Sequence, residues 1–453
     1  MQRVPLTPRP NWQSAVESAG LTFHTPEPSD NPNSDRPYWD ESAAYQFTPD
    51  EIDTLEAAGN TLQEMCLAAA QHIIDNKRYA ELDIPAAAIP AIEWAWNNEP
   101  PALYGRFDIA WAGAESGQPP KLLEYNADTP TALLEAAVIQ WSWLEDLRQT
   151  QPLGPDADQF NSIHDNLIAK WKDVDSYLSK PVYFCALDNA EDQLTLVYLR
   201  DTAQQAGLDT AQMFMEEIGW NDDQQMFLDP NEQPMFSIFK LYPWEAMVNE
   251  EFGIHAIDTY PNIRWIEPIW KMLLSNKGIL PILWELYPNH DLLLPAYFED
   301  AAPALPSTTT PLATPSNEGW QDVVVNGNSN GTATTPGAPD LDSQTWVPAT
   351  TPSPSHGLTS YVRKPLLSRE GANITLIREG EVVDTTDGPY TGRCIIQGLA
   401  PDFDFPDHLK PDAVRYPILG LWMVDQDCCG MGIRESGTPI TDNLSSFIPH
   451  FIA

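Results

Sequence analysis

Basic residues are scarce in this chain, and their scarcity excludes several classes of function. The 453 residues include 24 Lys and Arg against 65 Asp and Glu, which gives a formal net charge of −41. Nucleic acids and anionic membranes are bound by basic surfaces that displace counterions, so the sequence predicts binding to neither. Cationic small molecules such as polyamines would be attracted instead. The alternative explanation of the charge is a solvated acidic coat that aids solubility.

Long apolar runs are missing as well. No stretch of 18 or more apolar residues occurs, so the sequence predicts no membrane span. The first residues, MQRVP, lack the apolar core of a signal peptide, which predicts a cytoplasmic protein.

The cysteines include no CxxC pair, although two of them are adjacent. We therefore expect free thiols in a reducing compartment. A redox-active or metal-binding role for the adjacent pair is the alternative to plain packing at a strand end. The full set is Cys66, Cys185, Cys394, Cys428 and Cys429.

Strand-like and helix-like segments alternate along the chain, which predicts an α/β (α+β) fold. The first 45 or so residues are proline-rich and are expected to be irregular, with Trp12 and Tyr38-Trp39 as anchors onto the body. Helices are predicted over 49–76, 132–141, 160–177, 194–206 and 269–274, and strands over 182–186, 236–242, 374–377 and 393–399.

One segment departs sharply from the rest in composition. Residues 302–357 are dense in Pro, Thr, Ser, Asn and Gly and contain no Lys or Arg, which predicts a disordered insertion. We expect residues 1–301 and 358–453 to form one catalytic unit around it. A binding arm that uses Trp320 and Trp346 is the alternative to a passive linker.

Two polar pairs carry the clearest chemical signal. Arg106 and Asp108 lie in YGRFD, and Glu124 and Asn126 lie in LEYN. Residues two apart on a strand point to the same face, so two antiparallel strands would present all four side chains together. Three of the four supply oxygen ligands suited to Mg²⁺, and the guanidinium adds a fixed positive charge. A chance Arg-x-Asp pair is the alternative to this metal–phosphate platform. The helix predicted after Thr129 would point its N-terminal N–H groups at the same place.

The remaining signals concern phosphate and base binding. The run KPLLSREGAN starts at Lys364 and has Gly371 at the apex of a loop, where Lys364 or Arg369 could supply charge to a phosphate. The strand over 393–399 suits an adenine-binding hinge or is an ordinary buried strand. In GMGIRES the glycines predict a mobile backbone, which would let Arg434 approach a transferring phosphoryl group; an exposed surface arginine is the alternative.

The run EYNADTPT, preceded by YGRFD, resembles the synthetase region of glutathionylspermidine synthase and its stand-alone relatives, the acid–amine ligases. The resemblance continues through ordered blocks at 239–245, 266–270, 276–281, 361–374 and 430–435. It implies an ATP-grasp-type ligase with a pre-ATP-grasp-like N-terminal portion. In that family ATP phosphorylates a carboxylate and an amine attacks the acyl phosphate, so the resemblance implies ATP, two Mg²⁺ ions, an acid such as glutathione or a related peptide, and an amine such as a polyamine.

The resemblance also implies residue roles. Asp108, Glu124 and Asn126 match the metal ligands, while Arg106 and Arg434 match the catalytic arginines. Thr129 matches an acid-substrate contact, and Glu191, within an acidic patch that departs from the family pattern, is the amine-site candidate. The ATP contacts implied are Arg106, Asp108, Lys277, Lys364, Glu370, Gly371, Ile396, Gln397, Gly398 and Leu399.

Two other classes of function remain open from the residues alone. A non-catalytic nucleotide- or polyamine-binding protein on the same scaffold would have no need of the metal ligands. A carboxylate-dependent hydrolase would use the same acidic residues but would give no role to Lys277 and Lys364.

Overall fold

The computed structural model describes residues 1–26, 36–150, 153–300, 356–401, 403–442 and 445–453. In these ranges the strands are β1 Gln2–Pro5, β2 Ala43–Phe47, β3 Tyr104–Ala110, β4 Lys121–Asn126, β5 Val182–Ala186, β6 Thr210–Phe214, β7 Gly219–Asn221, β8 Met226–Leu228, β9 Ser237–Leu241, β10 Arg264–Ile266, β11 Ala296–Phe298, β12 Tyr361–Pro365, β13 Thr375–Arg378, β14 Glu381–Thr385, β15 Cys394–Gly398, β16 Phe405–Pro406, β17 Val414–Val424, β18 Asp427–Ser436, β19 Ser446–Phe447 and β20 His450–Ile452.

The α-helices in the same ranges are α1 Trp12–Ser18, α2 Pro49–Asp75, α3 Ile89–Asn98, α4 Gln140–Thr150, α5 Ile163–Val174, α6 Ala190–Gln205, α7 Trp244–Met247, α8 Gly253–Asp258 and α9 Ile279–Leu286. A π-helical turn, Glu135–Ile139, leads directly into α4. Short 3₁₀ turns occur at Arg78–Leu82, Ala86–Ala88, Ala114–Ser116, Met215–Glu217, Tyr260–Asn262 and Ile269–Leu273.

Three sheets make up most of the body. A six-stranded antiparallel sheet runs in the order β19-β18-β17-β3-β4, with β16 paired to β17 off this path. A five-stranded antiparallel sheet has the order β11-β15-β12-β13-β14, and a four-stranded parallel sheet has the order β10-β9-β5-β6. A small β1-β2-β20 sheet and the β7–β8 hairpin complete the arrangement. Helix and sheet layers are thus mixed, as predicted.

The six-stranded sheet is covered by helices on its two faces, α2 on one and α5 on the other. Glycines on facing elements allow this close packing. A Cβ at Gly59 of α2 would lie 2.7 Å from the Cys428 sulfur, and a Cβ at Gly430 would lie 2.5 Å from Cγ1 of Ile163 on α5. Both distances are far below ordinary contact, so the helices can pack at this distance only because these two positions have no side chain.

Helix α2 confirms the prediction for residues 49–76. The Thr48 side chain accepts a hydrogen bond from the Glu51 amide, and the Glu51 carboxylate accepts one from the Thr48 amide, which makes a capping box. Pro49 occupies the first turn, where it has no cost. The buried side of the helix includes Leu55, Leu62 and Met65, which lie at helical spacing in the core.

The parallel sheet also agrees well with the sequence. Strand β5 coincides with the predicted 182–186, and β9 lies within the predicted 236–242. Helix α6 begins four residues earlier than predicted, at Ala190, because the Asn189 side chain caps it by accepting from the Asp192 amide at 2.9 Å. The loops that leave β5 and β9 therefore meet at one edge of the sheet, where α/β sheets commonly bind ligands.

Several predicted elements were wrong in extent or type. Ala132 has a left-handed φ of 62°, so the helix predicted over 132–141 cannot start there, and its early part is the π-helical turn against β18. Helix α5 is shorter than the predicted 160–177, and 269–274 forms a 3₁₀ turn. The N-terminal 45 residues are not simply irregular, because they contain β1, α1 and part of β2. In each case tertiary packing overrides local propensity.

Tyr38 and Trp39 confirm their predicted role as anchors, since they are 3% and 0% exposed. All five cysteines are buried as free thiols. The predicted insertion over 302–357 lies outside the described residues except for His356 and Gly357, as do Trp320 and Trp346. Among the described helices, none is both long and apolar enough to cross a membrane.

Candidate active site

The two polar pairs meet as the sequence predicted, on neighbouring antiparallel strands. In the β3–β4 register Arg106 lies opposite Asn126 and Asp108 lies opposite Glu124. The Asn126 amide nitrogen is 3.1 Å from Oδ2 of Asp108 and 3.2 Å from Oε1 of Glu124. The three proposed metal ligands therefore converge on one patch of the sheet.

Arg106 is held in place from three sides. Its guanidinium donates to Asp108 at 2.7 and 3.1 Å and to the Thr131 carbonyl at 2.8 Å. It also lies 5.6 Å from the ring centre of Trp422 on the neighbouring strand β17. A Cβ at Gly420 would sit 2.8 Å from Cδ of Arg106, so glycine at this position leaves room for the arginine side chain.

Two lysines from distant parts of the chain reach Glu124 and its strand. Lys277 Nζ lies 2.9 Å from Oε2 of Glu124. Lys364 Nζ donates to the Leu123 carbonyl at 3.1 Å and to Oε1 of Gln397 at 2.7 Å. The Gln397 amide in turn donates to the Leu122 carbonyl at 2.9 Å. The five-stranded sheet is thereby docked on β4, with Lys364 and Lys277 beside the carboxylates.

The electrostatics of the patch follow from burial and these ion pairs. Burial by itself would raise the pKa of Glu124, but Lys277 and Lys364 lower it to about 2. Burial raises the pKa of Asp108, although Arg106 works in the opposite direction. Burial lowers the pKa of Lys364 to about 8, and the nearby Glu124 charge opposes that shift. Each acidic group is thus balanced by a cation of the same site.

The donor set suits magnesium. The site offers two carboxylates, from Asp108 and Glu124, and the amide of Asn126. Within the described residues no group of three His, Cys, Asp or Glu side chains converges to hold a metal, so the amide would have to be the third ligand. Mg²⁺ is usually held by one or two carboxylates and completed by substrate phosphates and water. Rotation of the Asn126 amide group about its last side-chain bond would present its oxygen instead of its nitrogen. A cavity of about 10 Å³, roughly one water molecule, is lined by Glu124, Asn126, Ser275 and Lys277.

The loop after β12 has the predicted glycine apex but a different use for its arginine. Gly371 has a φ of +71°, and a Cβ there would lie 2.3 Å from the Thr441 carbonyl, so only glycine fits. Arg369 forms an ion pair with Glu245 and donates to Thr129 Oγ1 at 2.9 Å. Arg369 therefore faces the substrate candidates in this structure. The phosphate role considered for it stays a prediction.

The substrate candidates form a second, acidic end of the site. Thr131 donates to Oε1 of Glu191 at 2.6 Å, and Glu191 lies in the first turn of α6. Burial and the Glu191 charge raise the pKa of Glu370. Burial likewise raises the pKa of Asp192, and Glu191 adds to the effect. Thr129, Glu191 and Glu370 are thus brought together by the loops after β4, β5 and β12.

The structure changes the adenine-hinge prediction. Residues 396–398 lie in β15, which is paired with β11 on one side and β12 on the other. The Gly398 amide donates to the Pro295 carbonyl at 2.7 Å. Ile396, Gln397 and Gly398 therefore use their main-chain groups in the sheet, and the Gln397 side chain serves Lys364. Leu399 lies just beyond the end of the strand, and its main-chain contact with a base stays a prediction.

Arg434 does not lie on a mobile glycine loop. It is in β18, opposite Ile418 of β17 and Phe447 of β19. The glycines serve packing instead, because a Cβ at Gly432 would lie 2.9 Å from the Phe447 ring. The Arg434 guanidinium donates to the carbonyls of Ser445 and Asp442, each at 3.0 Å. The charge of Arg434 nevertheless acts to lower the pKa of the Asp108 carboxyl, against the effect of burial.

Other residues at the site were not identified from the sequence. Asp128, buried in the loop after β4, accepts from Lys240 at 2.7 Å and from the Trp244 amide at 2.9 Å. Glu245 follows in the same segment and pairs with Arg369. These residues lie within sequence blocks that carried the family resemblance, but nothing in their spacing indicates which of them meet.

The chain is similar to known proteins over nearly its whole length. The family model described as glutathionylspermidine synthase preATP-grasp matches residues 3–330 and 333–453. A Haemophilus influenzae protein named "Putative acid–amine ligase" is 35% identical over 455 residues, covering 100% of this chain and 99% of that protein.

More distant relatives are longer proteins. Trypanothione synthetase of Crithidia fasciculata is 26% identical over 84% of this chain and 52% of its own length. The bifunctional glutathionylspermidine synthetase/amidase of Escherichia coli is 27% identical over 56% of this chain and 43% of its own length. This chain therefore matches about half of each or less.

A solved structure shares the fold at low identity. The apo form of a glutathione synthetase-like effector, GSS30, from Globodera pallida matches with a TM-score of 0.52 and 7% identity, over 90% of this chain and 89% of that chain. The fold and the family match together define an ATP-grasp protein with a preATP-grasp domain. The chain belongs to the glutathionylspermidine synthase family.

Proposed function

We propose that this protein is an ATP- and Mg²⁺-dependent ligase that joins a carboxylic acid to an amine through an acyl phosphate. The observation that carries the proposal is the single network of Asp108, Glu124, Asn126, Lys277 and Lys364. The relatives named as acid–amine ligase and as synthetases support the same reaction class.

The network suggests how the nucleotide would be received. Asp108, Glu124 and Asn126 would hold magnesium, two ions in our proposal, which neutralises and orients the phosphoryl group being transferred. Lys277 and Lys364 now balance Glu124, and they are placed to contact phosphate oxygens once that carboxylate has a metal partner. Glu370, Gly371 and Leu399 complete the proposed nucleotide contacts.

Arg106 and Arg434 are proposed to stabilise charge on the group in transfer. Arg106 is fixed beside Asp108, and the charge of Arg434 acts on the same carboxyl. Arginine side chains carry a delocalised positive charge in a planar fork that suits phosphate oxygens. Preorganised cations of this kind stabilise a transition state without reorganising during the reaction.

The acidic end of the site fits a cationic amine. Glu191, Asp192 and Glu370 are close enough that burial and mutual repulsion raise the pKa values of Asp192 and Glu370. An ammonium group in this cluster would relieve that repulsion. Thr129 is proposed to contact the acid substrate. We infer a polyamine-like amine, and glutathione or a related peptide as the acid.

A product-based assay tests the proposed function. The protein is incubated with ATP, Mg²⁺, thiol peptides and polyamines, and ADP and new amides are measured, the latter by mass spectrometry. We expect ADP release only when acid and amine are both present, and its loss on removal of Mg²⁺ with EDTA. Thermal stabilisation by ATP·Mg²⁺ without product in a broad panel would indicate a non-catalytic binding protein instead.

A further inference from the structure

Tyr38 lies beside Arg434 although it comes from the N-terminal part of the chain. The guanidinium carbon of Arg434 is 5.0 Å from the centre of the Tyr38 ring. At this distance the face of an aromatic ring attracts a cation, and more strongly where water is excluded. Tyr38 is 3% exposed, so water competes little for this contact.

The main chain holds the two residues in register. The Phe447 amide donates to the Tyr38 carbonyl, and Ser446 Oγ donates to the Pro37 carbonyl at 2.7 Å. Phe447 is the residue that pairs with Arg434 between β19 and β18. The backbone of residue 38 is therefore attached to the partner of Arg434 in the sheet.

The Tyr38 side chain makes two further contacts, one through its hydroxyl group and one through its ring. Tyr38 Oη donates to Oε1 of Glu135 at 2.7 Å, and Glu135 is 1% exposed in the π-helical turn before α4. Phe23 packs on the ring with centroids 5.3 Å apart. Turns of π-helix are rare and often lie at functional sites. The turn begins at Glu135, three residues after Ala132, whose left-handed φ of 62° interrupts the helix on that side.

We propose that Tyr38 is a positioning residue for Arg434, with its ring holding the guanidinium in the place that the Ser445 and Asp442 carbonyls define. This inference rests on the proposed function, in which Arg434 stabilises the transferred phosphoryl group. The carbonyls of Ser445 and Asp442 hold the guanidinium by hydrogen bonds at its edge, and the Tyr38 ring adds a contact of a different kind.

A double-mutant cycle on turnover tests the proposal. Tyr38→Leu should lower kcat about 10-fold with little change in the KM for ATP, because the lost contact matters for charge that develops during transfer. Tyr38→Phe keeps the ring and should stay within about 3-fold of the parent. In the Arg434→Ala background, Tyr38→Leu should cause no further loss.

A matched control separates positioning from packing. Phe23→Leu removes a neighbouring ring that contacts Tyr38, and we expect it to leave kcat nearly unchanged. Equal losses for Tyr38→Phe and Tyr38→Leu, or a full additional loss from Tyr38→Leu in the Arg434→Ala background, would overturn the proposal.

A structural measurement decides the matter even if no substrate pair is turned over. In a crystal structure of Tyr38→Leu we expect the Arg434 guanidinium to leave its place while the β18 backbone stays unchanged. A guanidinium in the same position as in the parent protein would refute the role of Tyr38. Absence of turnover in the parent protein, by contrast, would count against the proposed function alone.

Discussion

The metal–phosphate end and the substrate end of the candidate site are built from different secondary structure. Arg106, Asp108, Glu124 and Asn126 lie on two paired strands, where register sets their distances. The substrate candidates lie on loops and on the first turn of a helix. The residues proposed for phosphoryl transfer therefore lie on a rigid scaffold, whereas the residues proposed for substrate recognition lie on segments that tolerate variation.

The two ends also differ in charge balance. At the metal–phosphate end, Glu124 and Asp108 are each paired with a cation, and the pKa of Glu124 is accordingly lowered to about 2 against the effect of burial. At the substrate end, carboxylates lie near one another, and burial together with Glu191 raises the pKa of Glu370. Substitutions at the first end should therefore impair ATP binding or the chemical step, and those at the second should change the affinity for the amine.

The largest effect is expected for Glu124→Ala. This change removes a proposed metal ligand and leaves Lys277 and Lys364 without their balancing charge. We expect kcat/KM to fall by more than about 100-fold in an ADP-release assay, since even indirect supports of metal ligands cost about 10- to 100-fold. Glu115→Gln, an exposed carboxylate in the β3–β4 connection, is the matched control and should behave as the parent. Near-parental activity of Glu124→Ala would show that this end of the site does not hold a catalytic metal ion.

A smaller loss is expected for Lys364→Met. The variant keeps the length of the side chain but cannot donate to a phosphate or balance Glu124. We expect the KM for ATP to rise about 10- to 100-fold, in line with the loss of a charged hydrogen bond in a buried site. Lys172→Met, on the exposed side of α5, is the control. A carboxylate-dependent hydrolase would retain its activity in Lys364→Met, so this variant also separates the two reaction classes.

At the substrate end, Glu191→Gln should weaken only the binding of the amine. The amide oxygen can still accept from Thr131, so the change removes charge with little loss of shape. We expect the KM for the amine to rise about 10-fold, the size of one charged hydrogen bond, with the KM for ATP unchanged. Asp201→Asn, exposed on the same helix, serves as the control. Equal changes in both KM values would show that the two ends are not separable.

The smallest effect on activity is expected for a buried group outside both ends. His450 donates from Nδ1 to Gln140 and accepts the Phe160 amide at Nε2, and burial lowers its pKa to about 3. Because the folded state binds the proton less well than the unfolded state, its contribution to stability is complete above about pH 6.5. It declines by about 1.4 kcal/mol per pH unit as the pH falls from there towards 3.

Urea unfolding of the parent and His450→Gln between pH 7 and 5 measures this contribution. The variant should lack the His450 part of the pH dependence, and turnover per folded molecule should stay the same at pH 7. Identical slopes in parent and His450→Gln would contradict the expectation.

The sequence predicts the metal–phosphate end better than the substrate end for a physical reason. The two-residue period of a strand is enough to place Arg106 with Asp108 and Glu124 with Asn126 on one face. The family resemblance identifies Lys277 and Lys364, but their contacts with Glu124 depend on how two sheets dock. Their roles as nucleotide contacts remain predictions.

Two errors have a common origin. The glycines around Arg434 suggest flexibility in the sequence, whereas in the fold they allow α5 and Phe447 to pack closely on β18. Residues 396–398 suggest an open strand end, whereas strands on both sides use their main-chain groups. The sequence shows where a glycine stands and which residues favour a strand. It does not show which distant segments pack against the glycine or pair with the strand.

The amino-acid sequence by itself determined the spacing of the acidic and basic side chains along each strand and the shortage of cations that makes each one informative. Only the tertiary structure decided that Lys277 balances Glu124, that Arg369 turns to Glu245, and that Tyr38 lies against Arg434. Spacing along a strand is local geometry, whereas these pairings arise when sheets and loops far apart in the chain bury their surfaces together.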